Sequence, residues 1–297
     1  EITQQLDEGV RALMLDIHDP NSTKFSRKRS EVVPTLCHSA CMLLNKGPIV
    51  DQLKNVKTYL DENPFEVITV FVENANKFDD KSMAEPFEQA GLVDYAHVPT
   101  ATYVQGYEWP TLGEMISKNK RLVVLASTIT NTTEYPWLLY DRNYAVQTSY
   151  SVKVGENFDC KLISDDRSLH VMNHFVSMDY DVGLFSVEKP DYNSSAKVNT
   201  LDSLIDQANQ CGKAGHFPNF VTVDFFDAGD VLLAVANINK VNFVNTTTST
   251  FKEATLDGGS EGSSSSGSTH SAGVSIARGS SHALVAGILS VVAGTLA

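Results

Sequence analysis

Cations are scarce in this sequence. Its 23 Lys and Arg face 36 Asp and Glu, leaving a formal net charge of −13 over 297 residues. A nucleic-acid binder needs a basic footprint to neutralise phosphates, so that class is set aside. The acidity fits a secreted or surface protein. Signature motifs are missing too: there is no His-Glu-x-x-His and no Gly-rich or Walker phosphate loop. Nothing ahead of Glu1 reads as a basic and then apolar leader, so the expectation is a removed signal peptide or a fragment. No apolar run reaches the ~20 residues of a spanning helix. Cysteine is limited to Cys37, Cys41, Cys160 and Cys211, with no Cys-x-x-Cys pair of the kind structural zinc uses. Nearest-neighbour disulfides, Cys37 with Cys41 and Cys160 with Cys211, are the simplest of three connectivities. Sequons at Asn21, Asn131, Asn193 and Asn245 point the same way, to the secretory route.

What is present is organised around Gly9 to Cys41. Ala12 to Leu15 is continuously apolar, as in a strand buried on both faces of a parallel sheet. It runs into Asp16, His18 and Asp19. A second apolar run, Val32 to Leu36, delivers His38 between two cysteines, with Pro34 marking it as an edge strand. The loop between carries Lys24, Arg27, Lys28 and Arg29, a solvated loop or a phosphate-attracting rim.

Further along, Thr3 to Glu8 reads as helix. Pro48 to Glu62 is an amphipathic helix with Ile49, Leu53, Val56 and Leu60 on one face. Val67 to Val72 is a buried strand ending at Glu73, which completes a βαβ unit. Helices follow at Ala84 to Ala90 and after Trp109. Leu122 to Ala126, Asn143 to Val154, Ser168 to Val176 and Phe220 to Phe226 read as strands. Val198 to Cys211 and Val231 to Asn239 read as helices. About seven strands alternating with helices describe an α/β fold, a (β/α) barrel missing its first strand in this chain.

After residue 245 the composition changes. Residues 246–273 form a Ser/Gly-rich flexible stalk. Residues 274–297 end in an apolar tail, Ala283 to Ala297, the pattern of a glycolipid-anchor signal with its attachment site near Ser271, Ala272 or Gly273.

Asp16, His18, His38, Glu73 and Asp224 all fall at or near predicted strand ends, so one cleft can collect them. Two histidines and three carboxylates suit acid–base chemistry, since imidazole titrates near ~6.5. On residues alone this modestly favours a hydrolase.

The run QQLDEGVRALMLDIHD, then LCHSAC, then LDENPFEVITVFVEN, and finally NFVTVDFFDAGD, resembles the phospholipase C-like phosphodiesterases. The resemblance is to the secreted fungal and plant group related to the phosphatidylinositol phospholipase C X-domain, and it covers residues 1–239. It implies a distorted TIM barrel spanning residues 1–245 and a phosphoric diester hydrolase or lyase using two histidines. His38 matches the general acid that protonates the leaving alcohol. The general base, in a His-Asn-Ser-like segment, is expected ahead of Glu1. Asp224 matches a carboxylate that orients that base. Asp16 and Glu73 match calcium ligands, but Met14 stands where calcium-dependent members carry a glutamate, so the resemblance implies no required cofactor or weakly bound Ca²⁺. His18 stands where metal-independent members place an arginine, so a protonated His18, or a cation from the Lys24 to Arg29 loop, is expected to neutralise the phosphate. The implied partners are a phospholipid or glycolipid phosphodiester, such as a phosphoinositide or glycosylphosphatidylinositol, and the membrane surface through the anchor. The protein is expected to be a monomer at the cell surface. Two rival readings remain: a catalytically inactive barrel used as a surface or cell-wall binding protein, and a glycerophosphodiesterase, which Met14 disfavours.

Overall fold

The computed structural model describes residues 2–20, 32–37, 41, 45–129, 133–182, 185–243 and 290–294. In chain order, α1 (Ile2–Asp7) leads into β1 (Ala12–His18), followed by β2 (Thr35–Cys37) and β3 (Asn45–Pro48). Next come α2 (Ile49–Glu62), β4 (Ile68–Asn74), α3 (Asp80–Gln89), α4 (Leu112–Ser117), β5 (Leu122–Ala126), β6 (Leu138–Tyr140), β7 (Ala145–Gln147) and β8 (Leu169–Asn173). A hairpin of β9 (Ser177–Val182) and β10 (Phe185–Pro190) precedes α5 (Tyr192–Val198) and α6 (Leu201–Lys213). The order closes with β11 (Phe220–Val223), α7 (Val231–Ile238) and β12 (Ser290–Gly294).

Eight strands form a parallel path in the order β6-β5-β4-β1-β12-β11-β8-β7. Burial on both faces explains their unbroken apolar runs. Leu13, Leu15 and Ile17 face the helices, packing in one core with Leu53, Val56 and Leu60 of α2 and Leu204 and Ala208 of α6. The alternate residues Ala12, Phe71, Val123, Leu125, Leu139, Val171 and Phe220 form a second cluster on the opposite face. Phe71 of β4 and Phe220 of β11 meet edge to face, their ring centroids 5.2 Å apart. Two strands lie between them, so in a flat sheet they would stand about 14 Å apart at ~4.8 Å per strand. The sheet is therefore curled, with the second cluster lining its concave side. Its edge strands β6 and β7 are joined by only four residues, 141–144. No ladder links them among the described residues. The closed barrel expected from the sequence is not shown; the architecture is a curled, open parallel sheet with helices outside.

Several elements differ from the sequence reading, and β3, β6, β9, β10 and α5 have no counterpart in it. The strand expected at Val32 to Leu36 begins at Thr35, because Pro34 has no N–H to give; its carbonyl accepts from Ile49 instead, at 2.9 Å. It runs antiparallel to β1 with Ile17 opposite Leu36 and His18 opposite Thr35, so it is a flap on the end of β1 and not the next sheet strand. The strand expected at Asn143 to Val154 shrinks to Ala145–Gln147. Beyond it, the Thr148 carbonyl accepts from the Asn173 side chain at 2.9 Å and its hydroxyl from the Asn173 N–H at 3.0 Å. The strand expected at Phe220 to Phe226 stops at Val223, because Phe225 takes φ +51°. Lastly, Ser290–Gly294, read as part of an apolar anchor tail, lies in the sheet between β1 and β11, with Val292 opposite both Ala12 and Thr222. That is the slot where a first strand was expected to be missing.

The end of the sheet at the strand N-termini is held by two arginines. Arg11 pairs with Glu66 at 2.7 Å and donates to the Leu6 and Val10 carbonyls. Buried Arg121 donates to the carbonyls of Leu60, Asn63 and Glu66, closing the C-terminal end of α2. That end of the molecule is structural, and chemistry belongs at the other.

Candidate active site

Side chains alternate along a strand, so each residue two places beyond a concave-side apolar residue points to the same side. Met14 leads to Asp16 and His18, Phe71 to Glu73, Leu125 to Ser127, Leu139 to Asp141 and Val171 to Asn173. Five strands thus deliver polar groups to the rim above an apolar interior, at the C-terminal ends where parallel α/β folds carry their sites. Asp16 and Glu73 are register partners across β1 and β4.

The rim is electrostatically strained. The Glu73 carboxyl is pushed above the usual carboxylate range, first by desolvation and then by the negative charges of Asp16 and Asp141; a Ser127 hydrogen bond and the charge of Arg142 oppose this. Solvent still reaches Glu73, so the effect on stability is small. Desolvation raises Asp141 as well, against the Arg142 N–H that donates to its Oδ1 at 2.5 Å. A Glu73 carboxylate repelled by both Asp16 and Asp141, with one exposed arginine nearby, makes a site that gains from any cation or protonated group placed among them.

Of the residues singled out in the sequence, Asp16, His18 and Glu73 are brought to this rim. Asp224 directly follows β11, and its backbone carbonyl accepts from Asn199 Nδ2 at 2.9 Å. Asn199 itself is buried, and Gly229 is required beside it: a Cβ there would lie 2.4 Å from the Asn199 carbonyl oxygen. His38 lies outside the described residues, as do the basic loop from Lys24 to Arg29 and the sequons at Asn21, Asn131 and Asn245. The flanking Cys37 and Cys41 are bonded to each other, with Cα atoms 4.9 Å apart, and Cys37 ends the flap on β1. Cys160 and Cys211 form the second disulfide, so no cysteine among them is left for zinc. The fourth sequon residue, Asn193, is exposed on α5.

Sequence reasoning missed Ser127, Asp141 and Arg142. The signal for Asp141 was its place two residues after Leu139, hidden because β6 is only three residues long. His174 marks the opposite case. It follows Asn173, so it turns to the other face, where it is fully buried, stacked on Phe158 at 4.0 Å. Nδ1 meets the Gln207 Oε1 at 2.5 Å and Nε2 meets the Val198 carbonyl at 2.9 Å. Burial pushes it toward the neutral form. It is a core histidine.

A family model, PI-PLC X 1, matches residues 1–239. The chain belongs to the PI-PLC X family. PI-PLC X domain-containing protein 1 of Arthroderma benhamiae is 32% identical over 249 residues, covering 80% of this chain and 77% of that protein. A second protein of that fungus, named an uncharacterized secreted protein, is 28% identical over 82% of this chain, which spans only 56% of its length. Among solved structures, the phosphatidylinositol-specific phospholipase C from Listeria monocytogenes aligns over 80% of this chain and 68% of its own, at 15% identity and a TM-score of 0.38, too loose a likeness to carry an argument.

Proposed function

We propose that this protein is an extracellular phosphoric diester hydrolase or lyase that cleaves a phosphoinositide or glycosylphosphatidylinositol-type phosphodiester by histidine acid–base catalysis. The observation that carries the reading is family membership over residues 1–239 together with the carboxylate-rich rim at the strand C-termini. In this scheme the inositol 2-hydroxyl gives its proton to a base and attacks phosphorus. The bond from phosphorus to the leaving alcohol breaks, and His38 supplies the proton that alcohol takes up. The products are a cyclic phosphate and a free alcohol. The base is the family histidine expected ahead of Glu1, with Asp224 orienting it. His18 balances the phosphate charge.

Asp16 and Glu73, joined by Asp141, suit a weakly held Ca²⁺. They are hard oxygen donors, and a cation would relieve the repulsion that Asp16 and Asp141 exert on Glu73, although Ca²⁺ wants six to eight oxygens. When bound, such an ion would supply positive charge next to the phosphate. Turnover of phosphatidylinositol by wild type and His38→Ala tests the catalytic reading. Turnover is expected to disappear in the variant while its far-UV circular dichroism is unchanged. Equal turnover would remove His38 from the mechanism.

The extracellular placement is supported by the two disulfides and by the relative named as secreted. Among the described residues no helix is long and apolar enough to cross a membrane. For residues 274–297 two uses compete. Their composition supports a glycolipid-anchor signal, cleaved near Ser271 to Gly273, whereas the pairing of Ser290–Gly294 with β1 and β11 favours retention in the fold. Mass spectrometry of the C-terminal peptide of the mature protein separates them. A glycolipid near Gly273 supports the anchor, and an intact peptide containing residues 290–294 supports the strand.

A further inference from the structure

At the opposite end of β8 from Asn173, three Lewis bases from separate segments converge. Asp166 lies in the loop before β8, His170 is the second residue of β8, and His216 lies just after α6. One potential ligand atom from each lies within 4.8 Å of the other two. His170 Nε2 is 2.7 Å from Asp166 Oδ1, while its Nδ1 faces the Phe217 carbonyl at 3.3 Å. Both nitrogens thus face oxygen acceptors, and a neutral imidazole has only one N–H. One lone pair is left pointing at an oxygen unless a proton or a metal lies there. His216 Nδ1 is sealed from solvent without a hydrogen-bond partner, 3.8 Å from the same Asp166 oxygen.

We propose that Asp166, His170 and His216 form a Zn²⁺ site at the N-terminal end of the sheet. Two imidazoles, a carboxylate and an open fourth position are a zinc donor set. Tetrahedral bonds of about 2.0–2.1 Å put donor atoms about 3.3 Å apart, between the 2.7 and 3.8 Å seen here. The Phe217 carbonyl plays the outer role, taking the Nδ1–H of His170 and leaving Nε2 for the metal. The frame is rigid. The His170 N–H donates to Asn219 Oδ1, and the Asn219 N–H donates to the His170 carbonyl, both at 2.8 Å. The His216 N–H donates to the Cys211 carbonyl at 2.8 Å, and the Cys160–Cys211 disulfide ties the segment leading to Asp166 to the same end of α6. The site lies away from the carboxylate rim and is independent of the proposed catalysis; with three protein ligands, its fourth position would be taken by water.

The test is titration of metal-stripped full-length protein with Zn²⁺ by calorimetry, with Co²⁺ absorption as a coordination signature. Wild type should bind one equivalent with a rise in Tm. Asp166→Asn and His216→Ala, each shown folded by circular dichroism, should bind at least about tenfold more weakly and lose the Tm gain. Absence of Zn²⁺ binding to wild type, or undiminished binding in both variants, would overturn the proposal.

Discussion

Glu73 and Asp141 show what one residue at the end of a strand does. Each sits two places past an apolar side chain, so the strand that buries its neighbour carries it to the rim, where burial disfavours ionisation of both and the like charges of Asp16 and Asp141 add to it for Glu73. A carboxyl with a raised pKa contributes its stability below the unfolded value and loses it as pH rises through the folded value. At pH 7 these groups therefore cost stability. Glu73→Gln and Asp141→Asn should each raise stability there by a few tenths to about 1 kcal/mol, and the gain should vanish toward pH 3 while activity falls. Urea unfolding at the two pH values checks this; a loss of stability at pH 7 would contradict it. Asp16 and Glu73 were legible because long apolar runs lead into them. Asp141 was not, since three strand residues give alternation too little length to register.

At the scale of elements, the most legible were those whose pattern is complete within themselves. β5 is five buried residues in a row and α2 repeats its apolar face after Pro48. Legibility failed where a distant partner decides the outcome. The Thr148 carbonyl is occupied by the Asn173 side chain just past the end of β7, and β12 exists only because β1 and β11 flank it. Without residues 274–297 those two strands would face each other across an empty slot with unpaired N–H and C=O groups. A chain ending at Gly273 should therefore unfold at lower urea and aggregate more readily than the full chain. Equal midpoints would show that β12 contributes nothing in solution.

For the whole molecule, the α/β class and parallel sheet were readable from the alternation of apolar runs and amphipathic helices. The seven-strand count implied a missing first strand. The open edge was not readable, since it lies at the short turn between β6, which did not stand out in the sequence, and β7, which is far shorter than the strand expected there. In the proposed function, the rim of this curled sheet cleaves phosphodiesters. The most direct measurement is phosphorus NMR of phosphatidylinositol incubated with the full-length protein. An inositol cyclic phosphate signal is expected with wild type and is expected to be absent with His38→Ala. Folded wild-type protein that leaves phosphatidylinositol and glycosylphosphatidylinositol uncleaved would contradict it.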